Sequence, residues 1–91
     1  MNIRLTKQAQ KFWENLDKKQ QQQISQKSFS LIGNPRPHDS ESLVGAKNGE
    51  RRVDVGEYRI IYTHHTQTVE ILVIGKRNDD EAYSIWKQMV S

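Results

Sequence analysis

Apolar residues recur in two different rhythms along the chain, and these predict two kinds of secondary structure. Over residues 2–5 they alternate, as in a short strand. Over residues 7–33 they recur every three to four positions, as on one face of a helix. Alternation returns from residue 50 onward, before a last helical stretch. The predicted order is β-α-α-β-β-β-α, an α+β fold: an N-terminal strand and a helical hairpin pack on a small antiparallel sheet, with a short C-terminal helix.

Polar residues mark where the two first helices begin and end. Thr6 is predicted to cap the first helix. Asp17 is predicted to cap the second, and Gln20 three residues later completes a capping box. The second helix is predicted to stop at Gly33 and Asn34, since the prolines that follow prevent a helix from continuing. Only a short connection separates the helices, so they form an antiparallel hairpin.

The β-rich part is predicted from runs of β-branched and aromatic residues. Tyr58–Thr63 and Val69–Ile74 are predicted strands, and His64–Gln67 is the predicted loop between them. Asn78 or Asp79 is predicted to cap the C-terminal helix.

A two-residue turn at Gly56-Glu57 predicts the register of the central hairpin. Counting outward from this turn pairs Asp54 with Arg59. Arg52 shares their face, because cross-strand partners point the same way and alternate residues of a strand do too. Val53 and Val55, in the strand before the turn, lie on the opposite face. The helical hairpin is expected to cover that face. Arg52, Asp54 and Arg59 are therefore predicted to be exposed on an open sheet face.

Composition and charge exclude several classes of protein. The 91 residues include no cysteine, and 14 Lys and Arg stand against 11 Asp and Glu. The absence of cysteine excludes disulfides, thiolate zinc sites and cysteine nucleophiles. No apolar run approaches the ~20 residues of a membrane span, and the polar N-terminus is unlike a secretory signal. We therefore expect one cytoplasmic domain over residues 1–91, with no membrane segment, no metal and no cofactor.

Positive charge collects in the second half of the chain. Residues 47–77 hold six basic and four acidic residues. Arg77 ends the last predicted strand and Tyr83 follows six residues later, so both are expected beside Arg59 at one end of the sheet. Converging arginines suit a phosphate, which a guanidinium can grip with two hydrogen bonds.

A simpler interpretation of the same charges stays open. The Asp54–Arg59 pair is then an exposed ion pair, contributing roughly 0–1 kcal/mol. Lys76 and Arg77 would in the same way only pair with the acidic residues that follow them.

Five short motifs occur in a fixed order along nearly the whole chain. They are Asn34-Pro35, Leu43-Val44-Gly45, the run from Arg52 to Tyr62 that contains Gly56-Glu57-Tyr58-Arg59, then Gly75-Lys76-Arg77, and finally Tyr83. This order and spacing resembles the RelE/ParE superfamily of bacterial toxins. The resemblance implies a type II toxin–antitoxin toxin with a single RelE-like domain. It further implies a ribosome-dependent, metal-free mRNA endoribonuclease that works in the ribosomal A site, with the ribosome, mRNA and a RelB-like antitoxin as partners.

The resemblance also implies roles for individual residues. Arg59 and Arg77 match the phosphate-stabilising arginines of the family, and Tyr83 matches the tyrosine proposed to take part in proton transfer. The residues expected to line the RNA are Arg52, Lys47, Lys76 and Asp54. The last of these departs from the family pattern, since RelE carries a lysine at that position.

Two other functions stay open from the sequence. ParE-like members share the fold but poison DNA gyrase by binding it, and they typically lack the full set of two arginines and a tyrosine. A weakly active toxin would instead act mainly as an antitoxin-bound co-repressor.

Overall fold

The computed structural model describes residues 2–90 and has the predicted α+β fold. Its elements in chain order are β1 (Asn2–Leu5), α1 (Lys7–Glu14), α2 (Lys18–Gly33), β2 (Ser40–Ser42), β3 (Arg51–Val55), β4 (Tyr58–His65), β5 (Thr68–Lys76), a 3₁₀ turn (Asn78–Asp80) and α3 (Glu81–Val90).

The five strands form one sheet in the order β1-β5-β4-β3-β2. The pairs β3–β4 and β4–β5 are antiparallel, as predicted for the two hairpins, and β2 pairs with β3 in the same way. The edge strand β1 pairs with β5 in parallel, starting with Asn2 opposite Thr68. No turn joins these two strands, so the sequence around them does not dictate the direction of pairing. The sheet is therefore mixed.

Besides this parallel pair, which the predicted antiparallel sheet did not include, two parts of the sheet differ from the sequence prediction. The strand β2 was not predicted, because its three residues are polar and show no apolar alternation. The predicted loop His64–Gln67 is wrong in its first half, since β4 continues through His65. Only Thr66 and Gln67 form the turn, and both adopt a positive φ, as a two-residue type I′ turn requires. Main-chain pairing with β5 extends the strand whatever the polarity of its side chains.

The helix caps agree with the sequence at α1 and α2. Thr6 Oγ1 accepts a hydrogen bond from the Ala9 N–H, and Asp17 and Gln20 form both hydrogen bonds of the capping box. The C-terminal helix is present as predicted, but its predicted cap is wrong. The residues proposed as its cap lie in the 3₁₀ turn, where Asp79 and Asp80 have φ of 61° and 52°. Aspartate tolerates this left-handed region better than most residues.

The apolar residues form two cores, one on each face of the sheet. Helices α1 and α2 cover the face that carries Val53, as predicted. The other face is not fully open, because α3 packs on part of it. This second core contains Leu43, Ile61, Val73, Ala82 and Trp86.

A bulge changes which residues of β5 reach each core. Ile61 pairs with Val73, whereas its neighbour Tyr62 pairs with Ile71, so Leu72 is an extra residue in β5. The extra residue reverses the alternation of faces along the strand. Ile71 consequently packs under the helical hairpin and Val73 under α3.

Candidate functional site

The β3–β4 hairpin has the register counted from its turn. Asp54 pairs with Arg59, and Arg52 pairs with Ile61. Gly56 has a φ of +58°, a value that glycine adopts at no steric cost, at the first central position of the turn. Because cross-strand partners share a face, Arg52, Asp54 and Arg59 lie on the face that α3 partly covers. We call this group, together with Arg77, the arginine face.

Arg59 is the centre of the arginine face and is held by two carboxylates. Its Nε and Nη2 donate to the two oxygens of Asp54, at 2.7 Å and 3.3 Å. Its Nη1 lies 3.6 Å from Asp80 Oδ1, in the 3₁₀ turn. The Arg59 side chain is only 14% exposed, so the prediction that it is exposed is wrong. Asp54 from β3 and Asp80 from the 3₁₀ turn lie against the Arg59 side chain.

The charges of this pair favour the ionised forms of both groups. The hydrogen bond from Arg59 is the main cause that lowers the pKa of Asp54, and it outweighs partial burial, which raises it. The positive charges of Arg59, Arg52 and Arg77 lower the pKa of Asp54 further. The pKa of Arg59 is raised, first by its hydrogen bond to Asp54. Asp54 is therefore a carboxylate at neutral pH, which makes it a poor base.

Arg77 reaches the same carboxylate from the end of β5. Its backbone N–H donates to the Glu57 carbonyl at 3.0 Å, which ties it to the hairpin turn. Its side chain is 52% exposed, and Nη1 lies 4.0 Å from Asp54 Oδ2. The structure thus brings Arg59 and Arg77 together at one carboxylate. In contrast to Arg59, Arg77 presents about half of its side chain to solvent.

Arg52 has a partner that the sequence did not predict. Its Nη2 forms an ion pair with Glu41 Oε2, since the two residues are cross-strand neighbours in β3 and β2. Because β2 was not predicted, neither was this pair. Arg52 and Asp54 are both only partly exposed, so the prediction of open exposure is wrong for these two as well.

Asp80, the second carboxylate on Arg59, was also missed as a partner of that residue. The acidic residues Asp79–Glu81 are visible in the sequence close to Lys76 and Arg77. The approach of Asp80 to Arg59 depends on the positive φ of Asp79 and Asp80, which no sequence pattern indicates.

Tyr83 lies on α3, on the same side of the sheet as Arg59. Its hydroxyl donates to the Val44 carbonyl at 3.2 Å, and its ring packs against Trp86 with 5.6 Å between centroids. The side chain is half-buried, and it lies against the second core. The loop that contains Leu43-Val44-Gly45 therefore holds the tyrosine hydroxyl.

The two lysines predicted to line the RNA occupy different places in the fold. Lys47 is exposed in the loop between β2 and β3. Lys76 is exposed at the end of β5 and pairs with Tyr58, which packs under the helical hairpin. Register therefore directs Lys76 to the opposite face of the sheet. Its backbone N–H donates to Glu81 Oε2 at 3.0 Å.

Residues 2–90 show neither a metal-binding cluster nor a membrane-spanning helix. Over that range, no group of three or more His, Cys, Asp or Glu side chains is placed to hold a metal ion. None of the helices described is both long and apolar enough to cross a membrane.

The chain is similar to toxins of bacterial and archaeal toxin–antitoxin systems. Residues 3–81 match the family model of the ParE toxin of the type II toxin–antitoxin system parDE. A comparison with curated protein sequences found no match.

Solved structures of RelE toxins have the same fold. The isolated Escherichia coli RelE toxin aligns with a TM-score of 0.70 and 20% identity, over 98% of this chain and 97% of that chain. RelE in the archaeal RelE–RelB complex of Pyrococcus horikoshii OT3 aligns with a TM-score of 0.74 and 24% identity, over 86% and 96%. A chain of the RelBE2 toxin–antitoxin complex of Mycobacterium tuberculosis aligns with a TM-score of 0.68 and 22% identity, over 84% of this chain and 96% of that chain.

The family match covers most of the chain, and the RelE structures share its fold. The chain therefore belongs to the RelE/ParE superfamily of toxins of type II toxin–antitoxin systems.

Proposed function

We propose that this toxin is a ribosome-dependent mRNA endoribonuclease that cleaves in the ribosomal A site. The observation that carries the proposal is the convergence of Arg59 and Arg77 on a single carboxylate, at 2.7 Å and 4.0 Å. Two guanidinium groups that meet at one oxyanion can also meet at a phosphate.

The proposed reaction is attack of a ribose 2′-OH on the adjacent phosphate. The 2′-oxygen bonds to phosphorus, the bond from phosphorus to the 5′-oxygen breaks, and a 2′,3′-cyclic phosphate remains. The reaction needs a group that takes the 2′-OH proton, stabilisation of negative charge on the phosphorane, and a proton for the leaving oxygen. These steps need no metal, and the proposal includes none.

The residues of the arginine face supply the charge stabilisation in this scheme. Arg77 is half exposed and can meet the phosphate directly, and Arg59 lies beside it. Tyr83 takes part in proton transfer once its hydroxyl leaves the Val44 carbonyl. Arg52 and Asp54 border the same surface, and Lys47 and Lys76 would contact RNA that extends beyond it.

A RelB-like antitoxin is the proposed protein partner. The solved complexes from Pyrococcus horikoshii OT3 and Mycobacterium tuberculosis pair toxins of this fold with antitoxins. This chain carries a net charge of +3, so an acidic antitoxin segment would complement it. The complex is expected to form on co-expression with the adjacent gene product and to weaken as salt is added.

Two substitutions test the nuclease proposal in a translation extract, with mRNA ends mapped by primer extension. Arg77→Ala removes a charge that acts mainly in the transition state, and we expect a loss of cleavage rate of roughly 10²–10³-fold. Tyr83→Phe keeps the ring and removes the hydroxyl, so it tests proton transfer. Tyr62→Phe is the matched control, since it removes a hydroxyl that donates to the Pro35 carbonyl, away from the arginine face. Wild-type cleavage by both test variants would overturn the proposal.

The match to the ParE family model favours a second candidate, inhibition of DNA gyrase. A supercoiling assay with purified gyrase distinguishes the two. Inhibition of supercoiling by a toxin that leaves mRNA intact on the ribosome would replace the nuclease proposal with gyrase poisoning.

A further inference from the structure

The Asp54 carboxylate occupies the part of Arg59 that would bind a phosphate. A guanidinium binds an oxyanion best through two parallel N–H groups on one edge. Arg59 has two such edges, and on the Nε and Nη2 edge both nitrogens already donate to Asp54. On the other edge, which Nη2 shares with Nη1, the Asp80 carboxylate lies 3.6 Å from Nη1. Each nitrogen of the guanidinium therefore already has a carboxylate oxygen nearby.

The surroundings of the Arg59–Asp54 ion pair keep the two side chains together. Arg59 is only 14% exposed, so its side chain has little freedom to turn away from Asp54 and offer itself elsewhere. Asp54 is more exposed, at 35%, so an incoming anion meets this carboxylate on its way to Arg59. Asp54 does not hold Arg77 in the same way, because Arg77 Nη1 lies 4.0 Å from Asp54 Oδ2.

We propose that Asp54 competes with phosphate for Arg59. The carboxylate keeps Arg59 in the ion pair and leaves Arg77 as the arginine that first contacts the ligand. The ligand is the phosphate group of a single-stranded nucleic acid, an identity that rests on the proposed function. Removing the negative charge of Asp54 then releases Arg59 as a second phosphate-binding group.

The size of the effect follows from simple electrostatics. A unit charge about 4 Å from the anion contributes on the order of 1 kcal/mol in a water-like dielectric. Converted to binding, this predicts that Asp54→Asn binds the phosphate probe roughly fivefold more tightly. Engaging one more phosphate also steepens the dependence of log affinity on log salt, by about 0.7 for a single strand.

The binding test uses inorganic phosphate and a short 2′-deoxy oligonucleotide, which lacks the attacking 2′-OH. Affinity is measured at several salt concentrations for wild type, Asp54→Asn, Asp54→Glu and Asp39→Asn. Asp39 is the matched charge control, because it pairs with Lys27 at 2.6 Å away from the arginine face. Only Asp54→Asn should gain affinity and a steeper salt dependence, whereas Asp54→Glu should bind as wild type does.

NMR of the arginine Nε–H groups gives a readout that needs no substitution, should Asp54→Asn not fold. In wild type, phosphate should shift the Arg77 resonance at concentrations that leave Arg59 unchanged. The wild-type result stands alone, and where Asp54→Asn folds, both of its resonances should shift together. A side chain with only a structural role would not change the order in which the two arginines respond.

Several results would overturn the inference. Equal gains in affinity for Asp54→Asn and Asp39→Asn would show an effect of net charge alone. Weaker binding by Asp54→Asn would show that the carboxylate positions Arg59 for the ligand instead of competing with it. Simultaneous shifts of both arginines in wild type would show that Arg59 is already available. Cleavage is not measured, so the nuclease proposal can fail while this inference stands.

Discussion

Helix α3 lies close against the sheet at Gly75, and an added methyl group there should destabilise the protein. A Cβ at residue 75 would lie 3.0 Å from the Cα of Ala82, and 3.2 Å from both its Cβ and its N. Favourable contact between carbon atoms begins at about 3.5 Å, so α3 or β5 must move by roughly half an ångström. Two of the three contacts are with backbone, which cannot rotate aside.

Two effects of Gly75→Ala oppose each other. Alanine restricts the unfolded chain, which stabilises the folded state by about 0.4–1 kcal/mol where the backbone allows it. Overpacking costs about 1–3 kcal/mol. Overpacking should win, because three atoms lie within 3.2 Å of the new methyl group. We expect a lower free energy of unfolding, and for a chain of this size Tm falls by about 4–8 °C for each kcal/mol lost.

Gly33→Ala is the matched control, because its new Cβ at the end of α2 meets no atom within 4 Å. The same substitution should there be neutral or stabilising. Urea and thermal unfolding, followed by far-UV circular dichroism, measure both variants against wild type. If Gly75→Ala is as stable as Gly33→Ala, the argument that α3 lies too close to residue 75 to admit a methyl group is refuted.

Three further predictions concern stability. Tyr62→Phe should lower the free energy of unfolding by about 0.5–1.5 kcal/mol in urea titrations, because the buried hydroxyl donates to the Pro35 carbonyl at 2.7 Å. Asp17→Ala should cost about 1 kcal/mol through loss of the capping box of α2, and Asp17→Asn should recover most of it. The pKa of Asp54 is lowered by the hydrogen bond from Arg59, so its contribution to stability is complete above the ordinary value of about 3.9 and is lost as the pH falls below it. Thermal unfolding between pH 6 and pH 2.5 should therefore show a shallower acid loss for Asp54→Asn than for wild type.

Local chemistry made parts of the fold predictable. The caps Thr6 and Asp17 act within three residues of themselves, so they determine helix starts whatever packs above them. The turn at Gly56-Glu57 likewise determines its own hairpin, which is why counting residues outward from it pairs Asp54 with Arg59 correctly.

The missed elements depend on contacts between distant parts of the chain. The polar strand β2 exists because the backbone of β3 offers it hydrogen bonds, and polar side chains carry no signal of this. The cap proposed at Asn78 or Asp79 failed for a similar reason. Its residues form a 3₁₀ turn whose Asp80 lies against Arg59 from β4.

Sequence alone establishes which residues form the arginine face, whereas long-range packing sets how available each of them is. Alternation and a two-residue turn are properties of neighbouring residues, so they placed Arg52, Asp54 and Arg59 on one face. Availability depends on segments that are distant in the chain. Helix α3 covers part of that face, Asp80 approaches Arg59 from the far end of the chain, and the bulge at Leu72 moves Val73 under α3. Burial and ion pairing arise only when these segments meet in space, so the sequence predicted exposed arginines where the structure encloses Arg59 and leaves Arg77 half exposed.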